Sequence, residues 1–146
     1  MNDMNQPIAS RLVPESERMA FVDRLFGIKY VRQLEPAVFQ FAKRLATDNH
    51  GGNWNFYELS NGGFYIAPRT DAVFAISSLN GREGEMTADA LGITACLYAY
   101  SHLSFGNGPT GTGSGVFAET CAKHYYLLRE FMFGHTEVQS ILRAIN

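Results

Sequence analysis

Cysteine is scarce in this chain. Only Cys96 and Cys121 occur in 146 residues, too few for the disulfide framework of a small secreted domain and without the paired spacing of a zinc ribbon. Reduced, buried thiols are the expectation. Long apolar runs are also missing: Met1 to Leu12 is polar, and nothing approaches the ~20 apolar residues of a transmembrane helix. The sequence therefore predicts neither a signal peptide nor a membrane span, and places the chain in the cytoplasm. Nor does one sign of charge dominate, because 12 Lys and Arg face 14 Asp and Glu for a net charge of −2. Strong direct DNA binding is not expected, since neutralising phosphates takes clustered cations. A DNA mimic is equally unsupported, because acidic residues alternate with basic ones, as in Glu15-Ser16-Glu17-Arg18, and form no acidic stripe.

Aromatic and apolar side chains, by contrast, are plentiful. Hydrophobic residues make up 46% of the chain and aromatics 13%, with 11 Phe and 7 Tyr, which excludes a disordered chain and suits one well-packed domain. Residues 1–13 read as a flexible leader outside the core, and 14–146 as the single domain. Met19, Val22, Leu25 and Phe26 recur at helical spacing between Pro14 and Gly27. After a short apolar stretch, Ile28 to Val31, a second helix near Pro36 carries Leu34, Val38, Phe41, Ala42 and Leu45 on one face, with His50-Gly51-Gly52 as its stop.

The middle of the chain changes character. Trp54 to Leu59 and Gly63 to Ala67 are strand-like runs joined by Ser60-Asn61-Gly62, and Asn-Gly is a strong hairpin signal. A third strand is expected over 72–79. Thr87 then caps a long helix to about Phe105, apolar nearly all round and so central. Beyond the glycine-rich loop Gly106 to Gly115, a further helix carries Phe117, Cys121, Tyr125, Leu128 and Met132. Thr136-Glu137-Val138-Gln139 resembles a capping box for a last short helix. Strands in the middle and helices at both ends predict an α+β fold: a small antiparallel sheet of about three strands, the hairpin near 53–67 plus the strand near 72–79, packed with N- and C-terminal helices.

Chemistry-bearing motifs are thin. Gly106-Asn107-Gly108-Pro109-Thr110-Gly111 matches the dinucleotide fingerprint G-x-G-x-x-G formally, but a helix precedes it and Pro109 removes a phosphate-binding N–H, so no cofactor is assigned. Gly113-Ser114-Gly115 falls short of a nucleophile elbow. Cys121 and His124 could join Cys96 or His102 around zinc, yet Cys121 lies on an apolar stripe, and no metal site is assigned. Glu58, Glu83 and Glu85 supply no acid/base pair that spacing can identify, and His50 and His135 sit where capping or solvent exposure is ordinary. Along the hairpin, Trp54 is expected in the core, while Asn55, Tyr57 and Asn61 are the candidate binding surface. No catalytic residue is assigned. The alternatives are a small metal-dependent enzyme using Cys121 and His124, and a single-stranded nucleic-acid-binding module stacking bases on Trp54 and Tyr57.

The run from Trp54 to Pro68, W-N-F-Y-E-L-S-N-G-G-F-Y-I-A-P, resembles the signature of the ArdB/KlcA antirestriction family. Gly84 to Ile93, Phe21 to Gly27 and Ile141 to Ile145 are similar to further segments of that family, so that the likeness spans about residues 15–146. The resemblance implies relief of type I restriction, protecting incoming plasmid, phage or other mobile-element DNA in a bacterial host. The implied partner is a type I restriction-modification enzyme or an associated host factor. It implies binding rather than catalysis, without imitation of DNA, and the family supplies no catalytic motif to lay onto these residues.

Overall fold

Helix α3 (Ala88–Ser104) organises the molecule. The computed structural model describes residues 7–48, 52–105 and 115–146. Twelve of the 17 residues of α3 are buried, including Leu91, Ile93, Leu97 and Tyr100, as an apolar surface on every side requires. Thr87 caps it, its hydroxyl accepting from the Ala90 amide. The one polar side chain fully buried along it, Thr94, donates to the Ala90 carbonyl at 2.8 Å, so its hydroxyl costs little to bury.

Three strands form one antiparallel sheet in the order β1 (Ser10–Leu12), β2 (Trp54–Leu59), β3 (Phe64–Pro68), and β4 (Val73–Ser77) pairs with β5 (Glu83–Thr87) in a second. The α+β class is as expected, but the sheet differs in two respects. The run 72–79 does not join the hairpin, and the strand that does comes from the leader, 10–12. Residues 8–13 are held by backbone bonds from Ser60 N–H to the Ala9 carbonyl and from Val13 N–H to the Phe56 carbonyl, both 2.8 Å. Val13 is 1% exposed. A polar segment with little hydrophobic signal thus docks by satisfying the free edge of β2.

The other edge, on β3, is closed by α3 instead of a strand. Ile66 N–H faces Cys96 Sγ at 3.5 Å, and the Tyr100 hydroxyl donates to the Phe64 carbonyl at 2.7 Å. Gly92 permits this approach: a Cβ there would lie 2.3 Å from the Ile66 carbonyl oxygen and 2.5 Å from Ala67 Cβ. All five β3 residues are buried. With both edges of the β2–β3 hairpin occupied, 73–77 pairs locally with 83–87, where only Met86 is buried; the polar run Glu83-Gly84-Glu85 carries no strand pattern to read.

The helices follow the apolar periodicity with local changes. Pro14 leads into a 3₁₀ turn, Glu15–Glu17, before α1 (Arg18–Phe26). The stretch expected to be apolar, Ile28 to Val31, starts a π turn, Tyr30–Leu34, which runs directly into α2 (Glu35–Leu45). Tyr30 and Leu34 point inward while Ile28 and Val31 are exposed. The rings of Phe21, Phe26, Tyr30 and Phe56 surround Phe64 at 5.6–6.1 Å between centroids. Helix α4 (Val116–Met132) buries Cys121, His124, Leu128 and Met132, and α5 (Val138–Ile145) buries Ile141 and Ala144. The capping box at Thr136 does not form. Glu137 makes no side-chain cap and instead bonds the Thr87 amide and hydroxyl at the start of α3, a charge-assisted pairing with donors the helix leaves open. The helix stop placed at His50-Gly51 and the glycine loop over 106–114 lie outside the described residues.

Candidate functional site

Register places the exposed chemistry. In antiparallel strands, directly paired residues share a face, and Leu12 pairs with Tyr57, Tyr57 with Tyr65, and Asn55 with Ala67. Leu12, Tyr57 and Asn55 therefore lie on one side of the sheet, as does Arg69 two residues beyond Ala67. The side chains are tied together. Arg69 Nε donates to Asn55 Oδ1 at 2.9 Å, and Asn55 Nδ2 donates to the Tyr57 hydroxyl at 3.3 Å. The Tyr57 ring stacks on Tyr65 (4.9 Å between centroids, 18° between planes), and Tyr65 stacks in turn on Phe131 of α4.

Beside this surface lies a part-buried polar relay. The Tyr65 hydroxyl donates to Asp89 Oδ1 at 2.7 Å, and His135 Nε2 bonds Asp89 Oδ2 at 2.8 Å. His135 Nδ1 accepts from the Glu137 amide at 3.0 Å, so the ring proton resides on Nε2 and is donated to Asp89. Asp89 occupies the first turn of α3, where backbone N–H groups favour a carboxylate. Burial and the neighbouring Asp89 carboxylate push the Tyr65 phenol well above its ordinary range. An aspartate–histidine pair suggests general-base chemistry, but both ring nitrogens already serve internal partners, and neither is presented to a substrate. The arrangement locks α4 and the start of α5 to α3. His135, expected at a solvent-exposed edge or in a cap, is a half-buried connector whose Nδ1 takes the Glu137 amide just before α5.

Of the three surface candidates, the fold brings Asn55 and Tyr57 together and sets Asn61 apart. Asn61 Nδ2 donates to the Leu127 carbonyl of α4, and its Oδ1 accepts from the Gly63 amide; both ends of the amide hold the hairpin turn. Sequence reading missed Arg69 and Leu12. Alternation continued from Ala67 past Pro68 would have found Arg69, whereas Leu12 had no signal. Trp54 is 9% exposed and packs on Phe39 at 5.0 Å, which leaves no open ring face for a base.

The residues weighed for zinc and for acid/base work are dispersed. Cys96 faces the Ile66 backbone, Cys121 and His124 are buried, and His102 lies beside Phe41 on the surface. Among the described residues no group of three or more His, Cys, Asp or Glu is placed to hold a metal ion. Burial pushes both thiols up to about 12 and the His124 imidazole down to about 4, helped in the latter by Lys123. Glu58 is held by Arg11, at 3.0 Å from Nε and 2.6 Å from Nη2, on the opposite side of the sheet from Tyr57. Glu83 and Glu85 are exposed on β5. Among the described residues no helix is long and apolar enough to cross a membrane.

Comparison with known proteins bears on the family and the fold. A family model described as "Antirestriction protein" matches residues 47–146. The chain is 36% identical over 147 residues to an Escherichia coli protein named antirestriction protein KlcA, covering 100% of both, and 39% identical over 143 residues to a second E. coli KlcA, covering 96% of this chain and 94% of that one. It is also 36% identical to the uncharacterised YafX of E. coli K12, over 92% of this chain and 85% of that one. A solved structure covers 100% of both chains with a TM-score of 0.84 and 35% identity; it is described as showing that KlcA and ArdB have a novel fold and antirestriction activity against type I DNA restriction systems in vivo but not in vitro. By this match in sequence and fold, the chain belongs to the antirestriction protein family.

Proposed function

We propose that this chain relieves type I restriction in the bacterial cytoplasm by binding a protein component of the restriction pathway, without chemistry of its own and without imitating DNA. The observation that carries this reading is the pre-ordered face of Asn55, Tyr57 and Arg69. It combines a tyrosine ring and a guanidinium, side-chain types enriched where protein contacts hold most of their energy, with an amide bonded to both. The Asp89–His135 pair beside it supports binding over catalysis, since its groups are spent on one another. Against mimicry stand the small net charge and the Arg11–Glu58 pairing on the same sheet. The activity described for KlcA and ArdB, present in vivo and absent in vitro, favours a target that includes a host factor missing from a purified restriction reaction.

The test is plating of unmodified phage on a type I restricting host that expresses the chain. Protection is expected with the wild type and diminished with Tyr57→Ala, while methylation of host DNA is retained. Plating no better than on the empty-vector control would refute the function. Persistent protection by a folded Tyr57→Ala, Asn55→Ala double variant would refute its assignment to this face.

A further inference from the structure

We infer that the accessible corner of the three-stranded sheet, where Leu12, Tyr57, Asn55 and Arg69 meet beside the buried Tyr65 and Ala67, docks a protein segment bringing one carboxylate to Arg69 and one apolar side chain to Leu12 and Tyr57. This rests on the binding reading above and names the chemistry of the partner. Three observations support it.

First, Arg69 is exposed and oriented but unspent. Its Nε is held by Asn55 at 2.9 Å, and among the described residues its terminal nitrogens have no partner. Arg11 shows the contrast, because its guanidinium is committed to Glu58 through two nitrogens. A guanidinium held by one nitrogen and open at the others matches a carboxylate in two-point geometry, with less side-chain entropy left to lose.

Second, an apolar platform adjoins it. Leu12 is 51% exposed on the position paired with Tyr57, and Tyr57 is fixed by its stack on Tyr65. The pairing of β1 with β2 is what puts a leucine there. Third, the charge on this face fits a protein and not a nucleic acid. Tracking a phosphate backbone takes several cations in line. Here one arginine follows an exposed leucine, a tyrosine and an asparagine across the strands, and Asp71, also exposed, is two residues from it.

The test combines plating, melting and DNA-binding measurements on the full chain. Arg69→Ala and Asn55→Asp, the second of which supplies an internal carboxylate to capture Arg69, are expected to cut protection about tenfold or more with unchanged melting, as expected at a contact centre. Arg69→Lys, which keeps the charge and loses the fork, falls between them and the wild type, and Leu12→Ala loses part of the protection. Arg11→Ala, on the opposite face, protects as the wild type does. Full protection by folded Arg69→Ala and Asn55→Asp, with the wild type also protecting, overturns this inference and leaves the proposed function standing. A wild type that fails to protect removes both. Salt-sensitive binding of labelled duplex or single-stranded oligonucleotides that is lost in Arg69→Ala would assign the face to nucleic acid and overturn the protein partner.

Discussion

Replacing Gly92 with alanine tests the contact on which the fold turns. In an isolated helix this change favours the folded state by about 1 kcal/mol. Here the added methyl would stand 2.3 Å from the Ile66 carbonyl oxygen, 2.5 Å from Ala67 Cβ and 2.6 Å from Ala67 Cα, where carbon–oxygen contacts need about 3.3 Å. The obstacles include backbone of the central hairpin, so α3 must withdraw by about 1 Å. That withdrawal loosens the Tyr100 bond to Phe64 and the Cys96 contact with Ile66, which close the edge of β3. Overpacking costs about 1–3 kcal/mol and a weakened buried hydrogen bond about 1 kcal/mol more, which together outweigh the helical gain. A net loss of about 2 kcal/mol is expected, or a fall in Tm of roughly 4–8 °C for a chain of this size. Urea titration and thermal melting measure it. Gly84→Ala, on an exposed strand with nothing within 4 Å of the new Cβ, should change stability by no more than about 0.5 kcal/mol. A Gly92→Ala variant as stable as the wild type would show that α3 does not close the sheet at this distance.

Three further outcomes follow from the same packing. His124 is buried between the rings of Phe26 and Tyr100, its Nδ1 has no partner among the described residues, and its pKa is lowered from 6.5 to about 4. The unfolded chain therefore takes up the proton first: stability from the neutral ring is complete above pH 6.5 and is lost as pH falls toward 4, by up to about 3 kcal/mol. Urea unfolding across that range should show this slope and His124→Gln should flatten it; identical slopes would discard the assignment. Asn61→Ala removes two bonds at the hairpin turn and should cost about 1–2 kcal/mol while sparing protection at permissive temperature. Loss of plating protection in the folded variant would return Asn61 to the binding surface. Cys96 and Cys121, buried and with thiols pushed up to about 12, should react with a disulfide reagent only on unfolding, and rapid labelling of the native chain would contradict their burial.

Much of the architecture is legible in the order of residues, because local periodicity and burial share a cause. A run apolar but for one threonine, such as Leu91 to Leu97, can satisfy itself only inside the molecule, Thr87 is a natural cap, and Asn61-Gly62 turns the hairpin, with Gly62 at φ 94°. The aromatic alternation likewise separated Trp54, which is core, from Asn55 and Tyr57, which border the surface. Partners distant in the chain were not legible. Whether Ser10–Leu12 or Val73–Ser77 completes the hairpin sheet depends on which edge stays open once α3 occupies the other, and that is a property of the packed whole. Asn61 looks like a surface amide until Leu127 lies against it, and His135 like an exposed histidine until Asp89 does. Arg69 gains its meaning only when Asn55, fourteen residues earlier, holds it. The sequence alone settled which residues must be buried and where the chain turns, since transfer from water and backbone sterics act locally. Tertiary structure alone decided which polar groups satisfy one another and which remain open to a partner, since hydrogen bonding depends on distances that chain order does not encode.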